Sequence, residues 1–247
     1  MIEIRGTTTL VGLLGWPTSH SLSPLMQNAG FAAIGLDWAY VPLPTPPELL
    51  PDAVRGLRAM GFAGANITIP HKQAVLALCD ELDDVARAAG SVNTLVFDDG
   101  RIVGSSTDGD AVTGQIEARG RRALVLGAGG AALAAVEALT RAGAEVTMAS
   151  RREPGWPPSV AEYDVLVNAT PMKDELIVAP HVGLQVVDLA YLADGRDTAL
   201  VAAAKAAGCE IVVDGLDVLL GQGAASFERW TGLPAPLVAM RAALRDA

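Results

Sequence analysis

Cysteine, aromatic side chains and positive charge are all scarce in this chain, and each scarcity narrows what it can be. Cys79 and Cys209 are the 2 cysteines, far apart and without metal-type spacing. They read as small buried side chains in a reducing compartment, not as a disulfide scaffold. Aromatic residues make up 4% of the sequence, too few for a sandwich or barrel of aromatic-rich strands. Lys and Arg number 18 against 28 Asp and Glu, a net charge of −10. With no long basic cluster, that balance argues against nucleic acid as a partner, and any anionic ligand must be held by local groups against the overall field. No uncharged apolar run reaches membrane-spanning length without a glycine break, so no membrane partner is expected. The start lacks the basic-then-apolar order of a secretory leader, with Arg5 and Gly6 interrupting it. A soluble cytoplasmic protein is expected. None of the 3 histidines has a spaced companion, so no metal site is expected.

What is present is Ala, Val, Leu and Gly in a chain of 247 residues that is 51% hydrophobic, suited to alternating strands and helices in two modest domains or one large one. The organising stretch is Ala123 to Arg152. The apolar run Ala123–Leu126 suits a strand buried on both faces. It is followed by Gly127-Ala128-Gly129-Gly130-Ala131-Ala132, then a run of good helix formers stopping at Gly143, then a second strand, Val146–Ala149. Strand, glycine turn, helix and strand form the first half of a dinucleotide-binding unit. Gly127 permits the tight turn, Gly129 lets the backbone approach a pyrophosphate, and Ala132 is small enough for close helix–strand packing. A flexible turn is the bland alternative. At the end of the second strand an NAD site usually carries a carboxylate for the ribose. Here stand Ser150, Arg151 and Arg152, which favour the 2′-phosphate of NADP unless they are ordinary solvated charge.

This unit begins halfway along the chain, so a second domain precedes it. Strands are expected at Thr9–Gly15, Ala39–Leu43, Gly64–Ile69, Val92–Phe97 and Arg101–Ser105, the last pair joined by a hairpin turn at Asp98-Asp99-Gly100. Helices are expected from Pro24 to about Gly35 with Ser23 as N-cap, from Pro46-Pro47 to about Met60, and from about His71 to Cys79. Another, Asp110 to Arg119, leads into the nucleotide domain. Beyond Arg152 the pattern resumes with strands at Tyr163–Ala169, Gln185–Leu189 and Glu210–Val213 and helices at Thr198–Ala207, Leu216–Trp230 and Pro236–Arg245. The fold class is α/β: an N-terminal α/β substrate domain with a mostly parallel sheet, and a Rossmann-like dinucleotide-binding domain, with the site in the cleft between them. The expected boundaries are 1–109 for the substrate-binding and catalytic domain, completed by C-terminal helices from about 224 to 247, and 110–223 for the NADP-binding domain.

Lys72 follows a strand and a proline at the start of an expected helix, where a cation opposes the dipole and exchanges its proton more readily. Asp108, in the polar cluster Ser105-Ser106-Thr107-Asp108-Gly109, is a fitting partner for an acid–base pair. Lys72 as a surface lysine and Asp108 as a helix cap are the alternatives. Ser21 and Ser23, with His20, lie in the first loop, where hydroxyls near a helix start bind a carboxylate or merely cap. Asn66, Thr68 and Asn93 are polar residues inside apolar runs and need partners if buried, which substrate hydroxyls could supply.

At this point the chain resembles the shikimate dehydrogenase family across nearly its whole length. The carriers are Ser21-Leu22-Ser23-Pro24, Gly64 to Lys72 (GANITIPHK), Gly90 to Leu95 (GSVNTL), Thr107-Asp108-Gly109, the glycine loop, Asn168-Ala169-Thr170-Pro171, and Gly215-Leu216 through Gln222-Gly223-Ala224. The resemblance implies an NADP-dependent oxidoreductase of the shikimate pathway of aromatic amino acid biosynthesis, reducing 3-dehydroshikimate to shikimate. It implies Lys72 and Asp108 as the catalytic pair and Ser21 and Ser23 on the substrate carboxylate, with Tyr191 near it. Thr68, Asn93, Asp108 and Gln222 are implied on the ring hydroxyls. For NADP it implies Gly127, Ala128, Gly129, Gly130, Ala131, Ser150, Arg151 and Arg152, with Leu189 and Gly215 near the nicotinamide. No dehydroquinate dehydratase-like segment accompanies these motifs, so a stand-alone enzyme is expected, as monomer or homodimer with a small-molecule substrate.

The chain departs from the family pattern at Ser106, where Asn is usual, at Gln27, where His is frequent, and at Lys173, where glycine is common; the proline often following Tyr191 is also absent. These departures leave open a quinate or amino-analogue dehydrogenase. A non-catalytic NADP or metabolite sensor is a further alternative, against which the presence of both Lys72 and Asp108 speaks.

Overall fold

The computed structural model describes residues 3–246; positions 1, 2 and 247, at the ends of the expected domains, lie outside the described residues. The chain divides into two compact units, one reaching to Thr107 and resuming at Gln222, the other running from Asp108 to Gly221.

The first unit contains β1 (Thr9–Gly15), α1 (Ser23–Ala33), β2 (Trp38–Pro44), α2 (Leu50–Ala59), β3 (Gly64–Ile67), β4 (Glu81–Leu82), α3 (Asp84–Ala89), β5 (Thr94–Asp98) and β6 (Arg101–Ser105). The second contains α4 (Asp108–Thr113), β7 (Arg122–Leu126), α5 (Gly130–Arg141), β8 (Glu145–Ala149), β9 (Val165–Asn168), β10 (Gln185–Asp188), α6 (Ala199–Ala207) and β11 (Ile211–Val213). Two helices follow, α7 (Gly215–Thr231), within which the division falls, and α8 (Leu237–Arg245).

In the first unit a six-stranded sheet has the order β2-β1-β3-β5-β6-β4. Strands β1, β2 and β3 are parallel, and the β5–β6 hairpin enters antiparallel to β3. Asp99 and Gly100 both take positive φ at its turn, 45° and 76°, as the right-handed twist of a tight hairpin requires. Because side chains alternate along a strand, the sheet has two apolar faces. Leu14, Ala65, Ile67 and Leu95 pack with Leu50, Val54 and Leu57 of α2. Val11, Leu13 and Tyr40 pack with Phe31 of α1 and with Phe227 and Trp230 of α7. Gly64 is held to glycine by that second face, since a Cβ would collide with the Leu95 carbonyl and the Trp230 indole.

The second unit is a five-stranded, wholly parallel sheet of order β11-β10-β9-β7-β8. Ala123 and Val125 pack on one face with α5, and Leu124 and Leu126 on the other with α6. Burial on both faces is why these strands read as unbroken apolar runs. Counted from β7, the order is 2-1-3-4-5, so the direction of winding reverses between β7 and β9, and ligands of such sheets bind outside the carboxyl ends at that switch point.

Several local expectations need correction. Ser23 is the first helical residue of α1 and Leu22 the N-cap, with no side-chain cap. The helix expected over His71–Cys79 is a 3-10 segment of five residues, Ala74–Leu78, so the dipole of an α-helix does not act on Lys72. The helix expected to reach Arg119 stops at Thr113, before Gly114, and begins at Asp108, whose charge suits a first turn. Pro46 and Pro47 introduce a 3-10 turn before α2 begins. Elements β4 and α3 had no counterpart among the expectations. Yet α3 is marked at both ends, by Asp83, which accepts the Ala86 N–H at 2.7 Å, and by left-handed Gly90. Cys79 and Cys209 are half-buried free thiols. Burial, with Asp80 adding repulsion, pushes Cys79 up to about 11 and raises Cys209 as well, leaving both as thiols at neutral pH.

Candidate active site

Within the first unit, the ends of β3, β5 and β6 bring polar side chains together. Asn93 is 2% exposed and sits just before β5. Its Oδ1 accepts the Thr107 N–H at 2.9 Å and the Thr94 hydroxyl at 3.0 Å, while Nδ2 donates to Thr107 Oγ1 at 2.8 Å and to Gln222 Oε1 at 3.3 Å. Thr107 Oγ1 donates onward to the Gln222 carbonyl at 3.1 Å. Asn66 lies behind this group: its Nδ2 donates to the Asn93 carbonyl at 3.0 Å and to Ser226 Oγ at 3.0 Å, and its Oδ1 accepts the Tyr40 hydroxyl at 2.9 Å. A buried carboxamide unpaired would cost a few kcal/mol; partnered, it becomes a rigid mount.

The other residues assigned to substrate in this unit stand around strand ends. The Lys72 carbonyl accepts the Val92 N–H at 2.9 Å, which fastens the backbone of Lys72 to the residue preceding Asn93. Thr68 follows β3 and its methyl packs on Gly15, where a Cβ would collide with it. Ser21 is half-buried and Ser23 buried; Ser21 Oγ accepts the Ser23 N–H at 3.2 Å, fixing one hydroxyl before α1. Gln27, a departure from the family pattern, is fully buried and donates to the Gly223 carbonyl at 2.8 Å. Ser106, another, is also fully buried. In the second unit Asp108 is 7% exposed at the start of α4.

The glycine turn of the second unit lies at the β7–β9 switch point. Gly127 has φ 123° and a Cβ there would stand 2.9 Å from the Ala169 carbonyl, so both backbone conformation and close approach demand glycine. Its N–H donates to the Ala149 carbonyl at 2.8 Å, which ties the turn to the end of β8. Ala128 and Gly129 are exposed and Gly130 and Ala131 half-buried. Gly129 caps α5 without a side chain, and a Cβ on it would meet nothing within 4 Å. The first N–H groups of α5 are therefore not engaged by a capping side chain. After β8, Ser150 is buried and donates to Glu153 Oε1 at 3.2 Å, while Arg151 and Arg152 are exposed. Neither arginine has an ion-pair partner among the described residues.

Leu189 and Gly215 are also brought together: a Cβ on Gly215 would collide with the Ala190 carbonyl, and the Leu189 carbonyl lies 3.1 Å from that position. Holding this segment is Asp188, a residue not singled out from the sequence. It is fully buried and accepts Thr198 Oγ1 at 2.5 Å on one oxygen, Asn168 Nδ2 at 2.9 Å and the Ala190 N–H at 3.0 Å on the other. Burial pushes its carboxyl above the usual range, with Asp214 adding repulsion, against the pull of those donors. A lone aspartate in the apolar run Val186-Val187-Asp188-Leu189 was the signal available. Tyr191 is half-buried, with Lys173 Nζ 5.5 Å from its ring centroid.

A cavity of about 480 Å³ lined in part by Glu3, Arg5, Asn28, Asp37 and Trp38 lies in the first unit, and none of the site residues above lines it. Its polar lining is engaged internally: Arg5 on Glu3, Asn28 on the Tyr40 backbone, Asp37 on Thr7 and Thr8. Among the described residues no group of three or more His, Cys, Asp or Glu side chains could hold a metal ion, and no helix is long and apolar enough to cross a membrane.

A glycine turn at the switch point of a parallel sheet, in a chain with a second α/β unit of its own, marks a two-unit protein of the dinucleotide-binding class. The chain is 43% identical over 281 aligned positions to a shikimate dehydrogenase (NADP(+)) of Rubrobacter xylanophilus, covering 98% of this chain and 97% of that one, and it belongs to the shikimate dehydrogenase family. Residues 13–95 match the shikimate dehydrogenase substrate binding domain and residues 215–245 the shikimate 5′-dehydrogenase C-terminal domain. Among solved structures, a shikimate dehydrogenase from Aquifex aeolicus superposes with TM-score 0.90 at 32% identity, over 99% of this chain and 100% of that one. A shikimate 5-dehydrogenase from Thermus thermophilus, in complex with NADP(H) and shikimate, does so with TM-score 0.86 at 34% identity, over 96% and 99%.

Proposed function

We propose that this chain catalyses the reversible, NADPH-dependent reduction of 3-dehydroshikimate to shikimate. The observation that carries the reading is the Gly127 turn at the β7–β9 switch point, in a chain similar throughout its length to shikimate dehydrogenases.

The residues present fit NADP. The uncapped start of α5 suits a pyrophosphate, and the exposed guanidinium groups of Arg151 and Arg152 suit a 2′-phosphate. Gly127 to Ala131, Ser150, Arg151 and Arg152 would hold the dinucleotide, with Leu189 and Gly215 near the nicotinamide. When bound, the cofactor supplies a hydride to the ketone carbon. The second unit is thus the NADP-binding domain and the first, joined by its C-terminal helices, the substrate domain.

On the protein side, Ser21 and Ser23 present hydroxyls to the substrate carboxylate, and Tyr191 is the third residue assigned to it. Thr68, Asn93 and Gln222 bind ring hydroxyls, with Asn93 already oriented by Thr107. Lys72 delivers a proton to the carbonyl oxygen as it becomes an alcohol, and in the reverse direction accepts it as the neutral amine. Asp108 orients the reacting oxygen. The partners are small molecules; the net charge of −10 disfavours nucleic acid. A cytoplasmic location accords with two thiols kept free.

The test is kcat/KM for shikimate and for quinate, each with NADP and NAD, read at the nicotinamide absorbance band. The highest value is expected for shikimate with NADP. Turnover of quinate alone would reassign the substrate, and NADP binding without any turnover would make the chain a binding protein.

A further inference from the structure

One cation in the second unit has no part in the reading above. Lys173 lies in the loop after β9, and its carbonyl accepts the N–H of Ala199, the first residue of α6, at 2.8 Å. That helix is capped by Thr198, whose hydroxyl donates to Asp188 at 2.5 Å. Asp188 also takes the N–H of Ala190, next to Tyr191, at 3.0 Å. The Lys173 loop and the Tyr191 segment are therefore pinned to one buried carboxylate. The result is an ammonium 5.5 Å from the Tyr191 ring centroid, within cation–π reach. Asp194 pairs with Arg196 and Asp197 with Lys205, while Asp174 and Glu175, which follow Lys173 in the chain, make no ion pair with it. No carboxylate lies within ion-pair distance of Lys173 among the described residues.

We propose that Lys173 is a specificity-determining residue for an anionic substrate. Stacked on Tyr191, its ammonium holds the ring in one orientation and adds positive potential where the tyrosine meets the substrate carboxylate. The inference rests on the proposed placement of Tyr191 near that carboxylate. Its physical motive is plain: Ser21 and Ser23 are neutral, and a protein of net charge −10 opposes an approaching anion. A stacked cation offsets that field locally. Glycine, common in the family at this position, cannot.

The experiment compares Lys173→Met, which keeps the length and loses the charge, with Lys173→Arg, which keeps the charge and the stacking. KM and kcat are measured for shikimate and for its methyl ester, at low and high salt. For shikimate, Lys173→Met should raise KM about three- to tenfold at low salt with kcat within about twofold, the range expected of a partly desolvated cation. The ester's KM and that of NADP should not move, Lys173→Arg should restore the wild-type value, and added salt should shrink the difference. An unaltered KM for shikimate in Lys173→Met overturns the inference, as does an equal rise for acid and ester, which marks mere packing. Failure of the wild-type protein to turn over shikimate would instead overturn the function proposed above.

Discussion

Asn93 and Thr107 clasp each other through two hydrogen bonds, the Thr107 N–H donating to Asn93 Oδ1 at 2.9 Å and Asn93 Nδ2 donating to Thr107 Oγ1 at 2.8 Å. Both residues are 2% exposed, so neither bond is exchanged with water at no cost. Removing the amide in Asn93→Ala strands the Thr107 N–H and costs about 2–4 kcal/mol, the sum of lost bonds and an unpaired buried donor. Urea unfolding should show a lower midpoint, and kcat/KM for shikimate should fall as well. An unchanged midpoint would show that the clasp contributes nothing.

For Lys72 the expected loss is in turnover rather than stability. The residue is half-buried, so Lys72→Met and Lys72→Ala should fold normally. Both should lower kcat by about a hundredfold to ten-thousandfold, the usual worth of a positioned proton donor. Steady-state rates across pH read this directly. Near-normal turnover in both variants removes Lys72 from the mechanism.

Cofactor choice is expected to rest on the arginines after β8. In Arg151→Ala, kcat/KM with NADP should drop by about tenfold or more, while the value with NAD stays put, because only the 2′-phosphate is lost as a partner. Unchanged discrimination would transfer the role to Arg152.

Asp188 makes a prediction about pH. Burial raises its carboxyl above the ordinary value of 3.8. The folded protein thus holds a proton that the unfolded chain has released, and the stability contributed by the neutral form is complete below 3.8 and lost as pH rises through the raised folded value. Asp188→Asn cannot titrate. Relative to the wild type, the variant should be at its greatest disadvantage at acid pH, with the gap narrowing as pH rises through the raised folded value. Chemical unfolding of both proteins at several pH values measures it; a gap independent of pH would show that Asp188 does not titrate differently on folding.

Much of the fold was legible because local chemistry and tertiary demand agree. The strands Thr9–Gly15 and Arg101–Ser105 occur where apolar residues and adjoining turn residues mark them. Gly127 announces its turn because only glycine tolerates φ 123°. Disagreement arose where local signals compete. His71 to Cys79 has helix formers but holds only a 3-10 turn, Ala74–Leu78, while the His71 ring at its head is bound to the Thr45 carbonyl at 2.7 Å. Leu22 displaces Ser23 as N-cap because Ser21 Oγ takes the Ser23 N–H.

What the amino-acid sequence determined unaided was the order of most elements, the glycine turn at Gly127 and the identity of the candidate side chains, since each depends on residues within a turn or two of one another. Tertiary structure alone decided which of them meet. Asn93 finds Gln222, which is 129 positions away, and Lys173 comes to lie over Tyr191 through the carboxylate of Asp188. Such pairings follow from strand order and from the need of every buried polar group for a partner, conditions that no local stretch of chain carries.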